Sequence, residues 1–185
     1  MDFVASFPHL VRSVALLAPA GLIRGLPGVY VEFKNAVREG TKSDAELNDM
    51  LAGVLGVGEG EDDENPVVAN VARMVRWQYE NHRGHARSFA STLLNGPVKG
   101  QEGVRREACK VLGEKQGARE GRERLIVVCG EEDGVVRKEW VREDLDGMMA
   151  DGKFVFRTVE GGHGFLIDPT VCERIVGWVG EEWRF

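Results

Sequence analysis

LIVVCGEEDGVV, residues 125–136, opens on an unbroken apolar run and then turns abruptly into glycine and acid. With Arg124 before it, the run reads as a strand, Arg124–Gly130, buried on both faces. A strand with one wet face would alternate instead. Two other short runs have the same character: SVALLA, Ser13–Ala18, and KFVFRTV, Lys153–Val159. Short strands rich in Val, Leu, Ile and Phe, separated by helical stretches, predict a parallel sheet and an α/β fold.

The intervening sequence supports that reading. In VRKEWVREDLDGMMA, residues 136–150, the apolar positions Val141, Leu145, Met148 and Met149 recur on one helix face. Strand, helix and strand there predict a right-handed crossover unit. After the third run, Asp168 followed by Pro169 is an N-cap with proline in the first helical position. Val171, Ile175, Trp178 and Val179 then form an apolar stripe, so a C-terminal helix is expected to pack on the sheet.

Between the first and second strands, residues 21–121 contain no convincing strand and read as several helices. Asn65 and Pro66 repeat the cap-then-proline signal and open a long helical stretch, which Gly84 is expected to kink or divide. The preceding GVLGVGEGEDDENP reads as loop. Gly56, Gly58 and Gly60 within it do not make a phosphate loop, because no strand precedes them and carboxylates follow.

Composition narrows the function. The chain has 185 residues, of which 43% are hydrophobic, and suits one domain with a sizeable core. Its net charge of −6, with Lys and Arg interleaved among acids as in GEKQGAREGRER, argues against a nucleic-acid surface. No apolar run approaches the ~20 residues of a membrane-spanning helix. Cys109, Cys129 and Cys172 lie far apart without a C-x-x-C spacing, which suggests reduced thiols and a cytoplasmic location, with neither a disulfide framework nor zinc. SVALLAPAGLI, residues 13–23, has an acid, Asp2, upstream and a single Arg12 close by, so a strand followed by a loop suits it better than a secretory signal.

The chemistry concentrates at two strand ends. Asp133 follows the second strand and His163, in VEGGHGFLID, follows the third. In open parallel sheets, loops leaving neighbouring strands at their C-terminal ends gather at one edge, so the two side chains are expected to meet. A carboxylate beside an imidazole accepts the Nδ1 hydrogen, fixes the tautomer and frees Nε2 to take a proton from a nucleophile. Gly161, Gly162 and Gly164 would let that loop bend tightly. Taken singly, each residue also has a plainer reading, the histidine as a turn residue and the aspartate as a cap. His82 and His85 read as helix surface or pocket lining, with no metal expected. His9 reads as a turn residue, Asp144 and Asp146 as a solvated helix side, and Trp77 and Tyr79 as core in the first place, with the lining of a substrate cavity as the alternative.

At these residues the sequence resembles the alpha/beta-hydrolase superfamily, in particular single-domain serine hydrolases with a helical cap. SFPHLVRSVALLAPAGL, residues 6–22, is similar to the family's passage from the helix after the nucleophile into the sixth strand. GEEDGVV, residues 130–136, resembles the seventh-strand turn with its acid, and VEGGHGFLID resembles the histidine loop after the eighth. NHRGHARSFASTLLNGPV, residues 81–98, is similar to cap sequences. The resemblance implies a partial alpha/beta-hydrolase fold over residues 1–185, with strands six to eight, flanking helices and a cap insertion at about 21–121. It implies catalytic roles for Asp133 and His163, no cofactor, and a small apolar ester-like substrate for the intact enzyme.

The departure from the family is the nucleophile. No G-x-S-x-G occurs, and Ser6, Ser13, Ser43, Ser88 and Ser91 all lack that setting. The resemblance places the nucleophile turn roughly fourteen residues before Pro8, hence before Met1. The expectation is therefore the C-terminal part of a hydrolase, inactive alone. The alternative is a non-catalytic binding or dimerisation module that uses the first strand's exposed apolar edge for self-association.

Overall fold

The three apolar runs form strands because each is short and rich in β-branched or other bulky apolar side chains, with Phe154 and Phe156 adding aromatic character to the third. The computed structural model describes residues 1–19, 22–25, 27–55, 61–82, 84–96, 101–116, 125–149 and 153–183. Within them the strands are β1 (Val14–Leu17), β2 (Leu125–Gly130) and β3 (Val155–Val159), all parallel in the order β1-β2-β3. Val14 stands opposite Leu125, and Gly130 opposite Val159. Every residue of β2 is buried, as its continuous apolar run requires.

The strands are slightly shorter than the sequence suggests, and Arg124 lies outside the described residues. β1 stops at Leu17 although the ladder continues one step, with the Ala18 N–H donating to the Val128 carbonyl at 3.0 Å. Ala18 takes a left-handed φ of 42°, ahead of Pro19, and that turn of the backbone ends the strand.

The chain divides into two compact units, Met1–Arg24 with Pro97–Phe185, and Gly25–Gly96. The first holds the sheet with α1 (Asp2–Ser6), α6 (Glu102–Gln116), α7 (Lys138–Asp146) and α8 (Pro169–Glu182). The C-terminal helix packs as its stripe predicts: Val171 and Ile175 join Ile126, Val128, Val159 and Phe165 in one buried cluster, with Trp178 and Val179 against it. The Asp168 carboxylate accepts the Thr170 N–H at 2.8 Å, which confirms the cap. α7 buries Val141 and Leu145, and Met149 just beyond it, but ends at Asp146, before Gly147. α6 packs on α1 and so belongs with the sheet-bearing unit. Gly21 and Gly121, the expected ends of the insertion, lie outside the described residues.

The second unit contains α2 (Gly28–Glu39), α3 (Asp44–Leu55), α4 (Pro66–Asn81) and α5 (His85–Asn95). Phe33, Ala36, Leu47, Leu51, Val54 and Ala90 form its core. Asn65 caps α4 by accepting the Val67 N–H at 3.0 Å, and Gly84 separates α4 from α5. Ser43 and Glu46 form a reciprocal capping box at the start of α3, where the Ser43 backbone N–H and then Lys42 hold the Glu46 carboxyl down to about 2.

Cys109 and Cys129 are buried, and burial pushes their thiols from 9.0 up to about 11 and about 12. The folded state therefore holds these protons longer than the unfolded chain does. Their contribution to stability is fully present below about pH 9 and is lost as pH rises through about 11 to 12. Under mildly alkaline conditions an alkylating reagent is expected to spare both thiols in the native protein and to modify both in denaturant. Native labelling of Cys129, detected by peptide mass, would contradict its burial.

Candidate functional site

The site begins where β2 runs out. Past Gly130 the chain turns, with the Asp133 N–H reaching the Gly130 carbonyl at 3.4 Å, and this turn is laced to the loop after β3. The Glu131 N–H donates to the Val159 carbonyl at 2.8 Å and the Glu132 N–H to the Gly161 carbonyl at 3.1 Å. The two loops come this close because Gly130 has no side chain. A Cβ there would stand 2.6 Å from both the Gly161 and Gly162 carbonyl oxygens. Gly161 itself takes φ +100°, a conformation that side-chain-bearing residues rarely adopt.

Beyond His163 the loop is fixed again. Phe165 is buried, its N–H bonds the Gly162 carbonyl at 3.2 Å, and Asp168 then caps α8. His163 is thus carried on a short span anchored at both ends.

Asp133 and His163 meet as expected. Asp133 Oδ2 lies 2.9 Å from His163 Nδ1. The Asp133 side chain is fully buried, and its other oxygen accepts the Val135 and Val136 N–H groups, both at 2.8 Å. One oxygen is therefore spent on the carboxylate's own turn and the other is aimed at the ring. An ionised carboxylate only accepts, so this contact is a hydrogen bond when the hydrogen is on Nδ1, the tautomer in which a neutral ring presents its lone pair at Nε2. The His163 side chain is 48% exposed, and no described residue hydrogen-bonds Nε2. The arrangement is an oriented base that solvent or a reactant can reach. Asp133 also bears on Cys129: after burial itself, its charge is the next cause of that thiol's raised pKa.

The other polar candidates lie elsewhere. His82 and His85 border an open cavity of about 420 Å³ in the helical unit, together with Gln78, Ser88, Phe89 and Thr92. Among the described residues no group of three or more His, Cys, Asp or Glu is placed to hold a metal ion. No described helix is long and apolar enough to cross a membrane. His9 lies in a single helical turn, Pro8–Leu10. Gly56, Gly58 and Gly60 lie outside the described residues.

Two expectations are corrected. Trp77 is 58% exposed, edge-on to His82, and is not core. Asp146 is solvated beside Arg142, but Asp144 is only 15% exposed because two arginines converge on it. One of them, Arg105, is itself buried. Sequence periodicity overlooked this cluster because its members, Arg24, Arg105 and Asp144, are widely separated along the chain.

No family model, no curated protein and no solved structure matches the chain.

Proposed function

We propose that the chain carries the acid and base of an alpha/beta-hydrolase site, with Asp133 orienting His163, and that the nucleophile comes from a segment outside this sequence. The observation that carries the proposal is the 2.9 Å contact between a buried, doubly anchored carboxylate and the Nδ1 of a half-exposed imidazole at adjacent parallel strand ends. In that reading, His163 Nε2 takes the proton of the attacking nucleophile. The resulting imidazolium is stabilised by Asp133, and the proton then passes to the leaving group. The helical unit would select a small apolar ester-like substrate, and the location would be cytoplasmic.

The sequence contains no G-x-S-x-G, and no described residue hydrogen-bonds His163 Nε2. A serine-directed phosphonate probe is expected to leave the 185-residue protein unlabelled. The coding sequence upstream of Met1 is expected to contain G-x-S-x-G or its Asp or Cys variant. An in-frame extension without such a turn, or probe labelling of any serine in the present chain, would overturn the proposal.

A second reading, a binding or dimerisation module, is favoured by the outer edge of β1, which no described strand pairs. Beside it lies an open groove of about 530 Å³ lined by Phe3, Val4, Leu10, Ala15 and Trp183, and Phe3 and Leu10 are exposed by 57% and 63%. Mass in solution separates the two readings. A dimer disrupted by a charge placed at Leu10 would support this one, and a well-folded monomer would count against it.

A further inference from the structure

Asp144 receives three charge-assisted hydrogen bonds from two arginines. Arg24 Nη2 and Nε reach its Oδ1 at 2.7 and 3.2 Å, and Arg105 Nη1 reaches its Oδ2 at 3.0 Å. Arg24 also binds Glu143 at 2.7 Å and the Trp140 carbonyl at 3.4 Å. Arg105 is buried on α6; among the described residues its Nε has no hydrogen-bond partner, and Glu102 lies 3.4 Å from its Nη2. The cluster grips α7 from two sides.

α7 matters to the site because it continues directly from the Asp133 turn. The Val135 and Val136 N–H groups that hold Asp133 Oδ1 come three and two residues before the helix, and Val136 is fully buried. α7 has nine residues, and within it Val141 and Leu145 supply the buried apolar anchors. Apolar burial is non-directional, whereas charge-assisted bonds to a guanidinium fork fix both position and angle.

We propose that Asp144 is a positioning residue: clamped between Arg24 and Arg105, it sets the place of α7 and thereby the orientation of the Asp133 carboxylate toward His163. Arg24 is the last residue before the chain enters the helical unit, and Arg105 lies on the first helix after its return. Asp144 therefore joins two distant parts of the sheet-bearing unit to the helix that follows the acid turn. The inference rests on the reading of Asp133 and His163 as acid and base, but its test is independent of the missing nucleophile.

The test follows the His163 Nδ1–H resonance and its exchange with water by NMR. In Asp144→Asn, which keeps shape and removes charge, exchange is expected to quicken by about tenfold as the acid turn opens more often. Arg24→Gln, at an exposed position and less disruptive to folding, is expected to shift it in the same direction by less, with Arg24→Lys partly restoring it. Asp146→Asn, which removes the charge from the exposed pair with Arg142 on the same helix and leaves Arg142 over the Phe154 and Phe156 rings, should leave it unchanged. If Asp144→Asn and Arg24→Gln fold with native exchange at His163, or if Asp146→Asn has an equal effect, Asp144 is no positioning residue. The hydrolase reading would stand or fall separately, on the upstream nucleophile.

Discussion

Gly130→Ala is expected to lower stability by about 3 kcal/mol, the upper part of the usual range for overpacking a tight site. The added methyl would sit 2.6 Å from two carbonyl oxygens, and both belong to backbone that cannot rotate aside as a side chain would. Relief requires the β2 and β3 loops to separate, which strains the bonds from Glu131 to Val159 and from Glu132 to Gly161. The stability loss is accordingly expected to come with loss of the Asp133–His163 contact. Denaturant unfolding measures the first, and the His163 ring resonances measure the second. A variant with unchanged unfolding midpoint and native His163 resonances would mean that the loops do not approach as closely as described.

Asp133→Asn separates orientation from folding. The amide oxygen can still accept the Val135 and Val136 N–H groups, so the turn is retained and the thermal midpoint is expected to stay near that of the native protein. The amide nitrogen then faces His163 Nδ1, and two donors cannot share that bond. Nδ1 must become the acceptor and the proton moves to Nε2, the wrong nitrogen for a base. With the upstream nucleophile in place, a loss of roughly 10⁴ in kcat is expected, the scale on which triads lose activity when the tautomer is reversed. Asp133→Ala differs in kind, because it leaves two backbone N–H groups without their acceptor at a buried position and is expected to cost about 3 kcal/mol. A small effect of Asp133→Asn on turnover would argue that His163 is not the base.

Much of this site was legible because its determinants are local. LIVVCG, short, β-branched and ended by glycine, reads as a strand with both faces covered, and Gly130, Asp133 and His163 then fall at neighbouring strand ends by topology. The caps at Asn65 and Asp168 were legible for the same reason: cap and helix start adjoin in sequence. Ser43 and Glu46 carried an equally local signal, S-D-A-E, and it was overlooked. Asp144 was another matter. Its i, i+4 surroundings on α7 look solvated, and the residues that bury it, Arg24 and Arg105, come from distant parts of the chain. Trp77 shows the reverse error, since a large aromatic on an amphipathic helix invites a core assignment that its 58% exposure refutes. Non-local pairing and helix-face assignment are the two things periodicity does not encode.

The central claim is that Asp133 holds His163 with its proton on Nδ1 and Nε2 free. Long-range ¹H–¹⁵N correlation of the imidazole in the native 185-residue protein, recorded above the ring's titration, tests it directly. The expected result is a protonated Nδ1 and a bare, pyridine-like Nε2, with the pattern lost in Asp133→Asn. A neutral ring protonated on Nε2 in the native protein would contradict it.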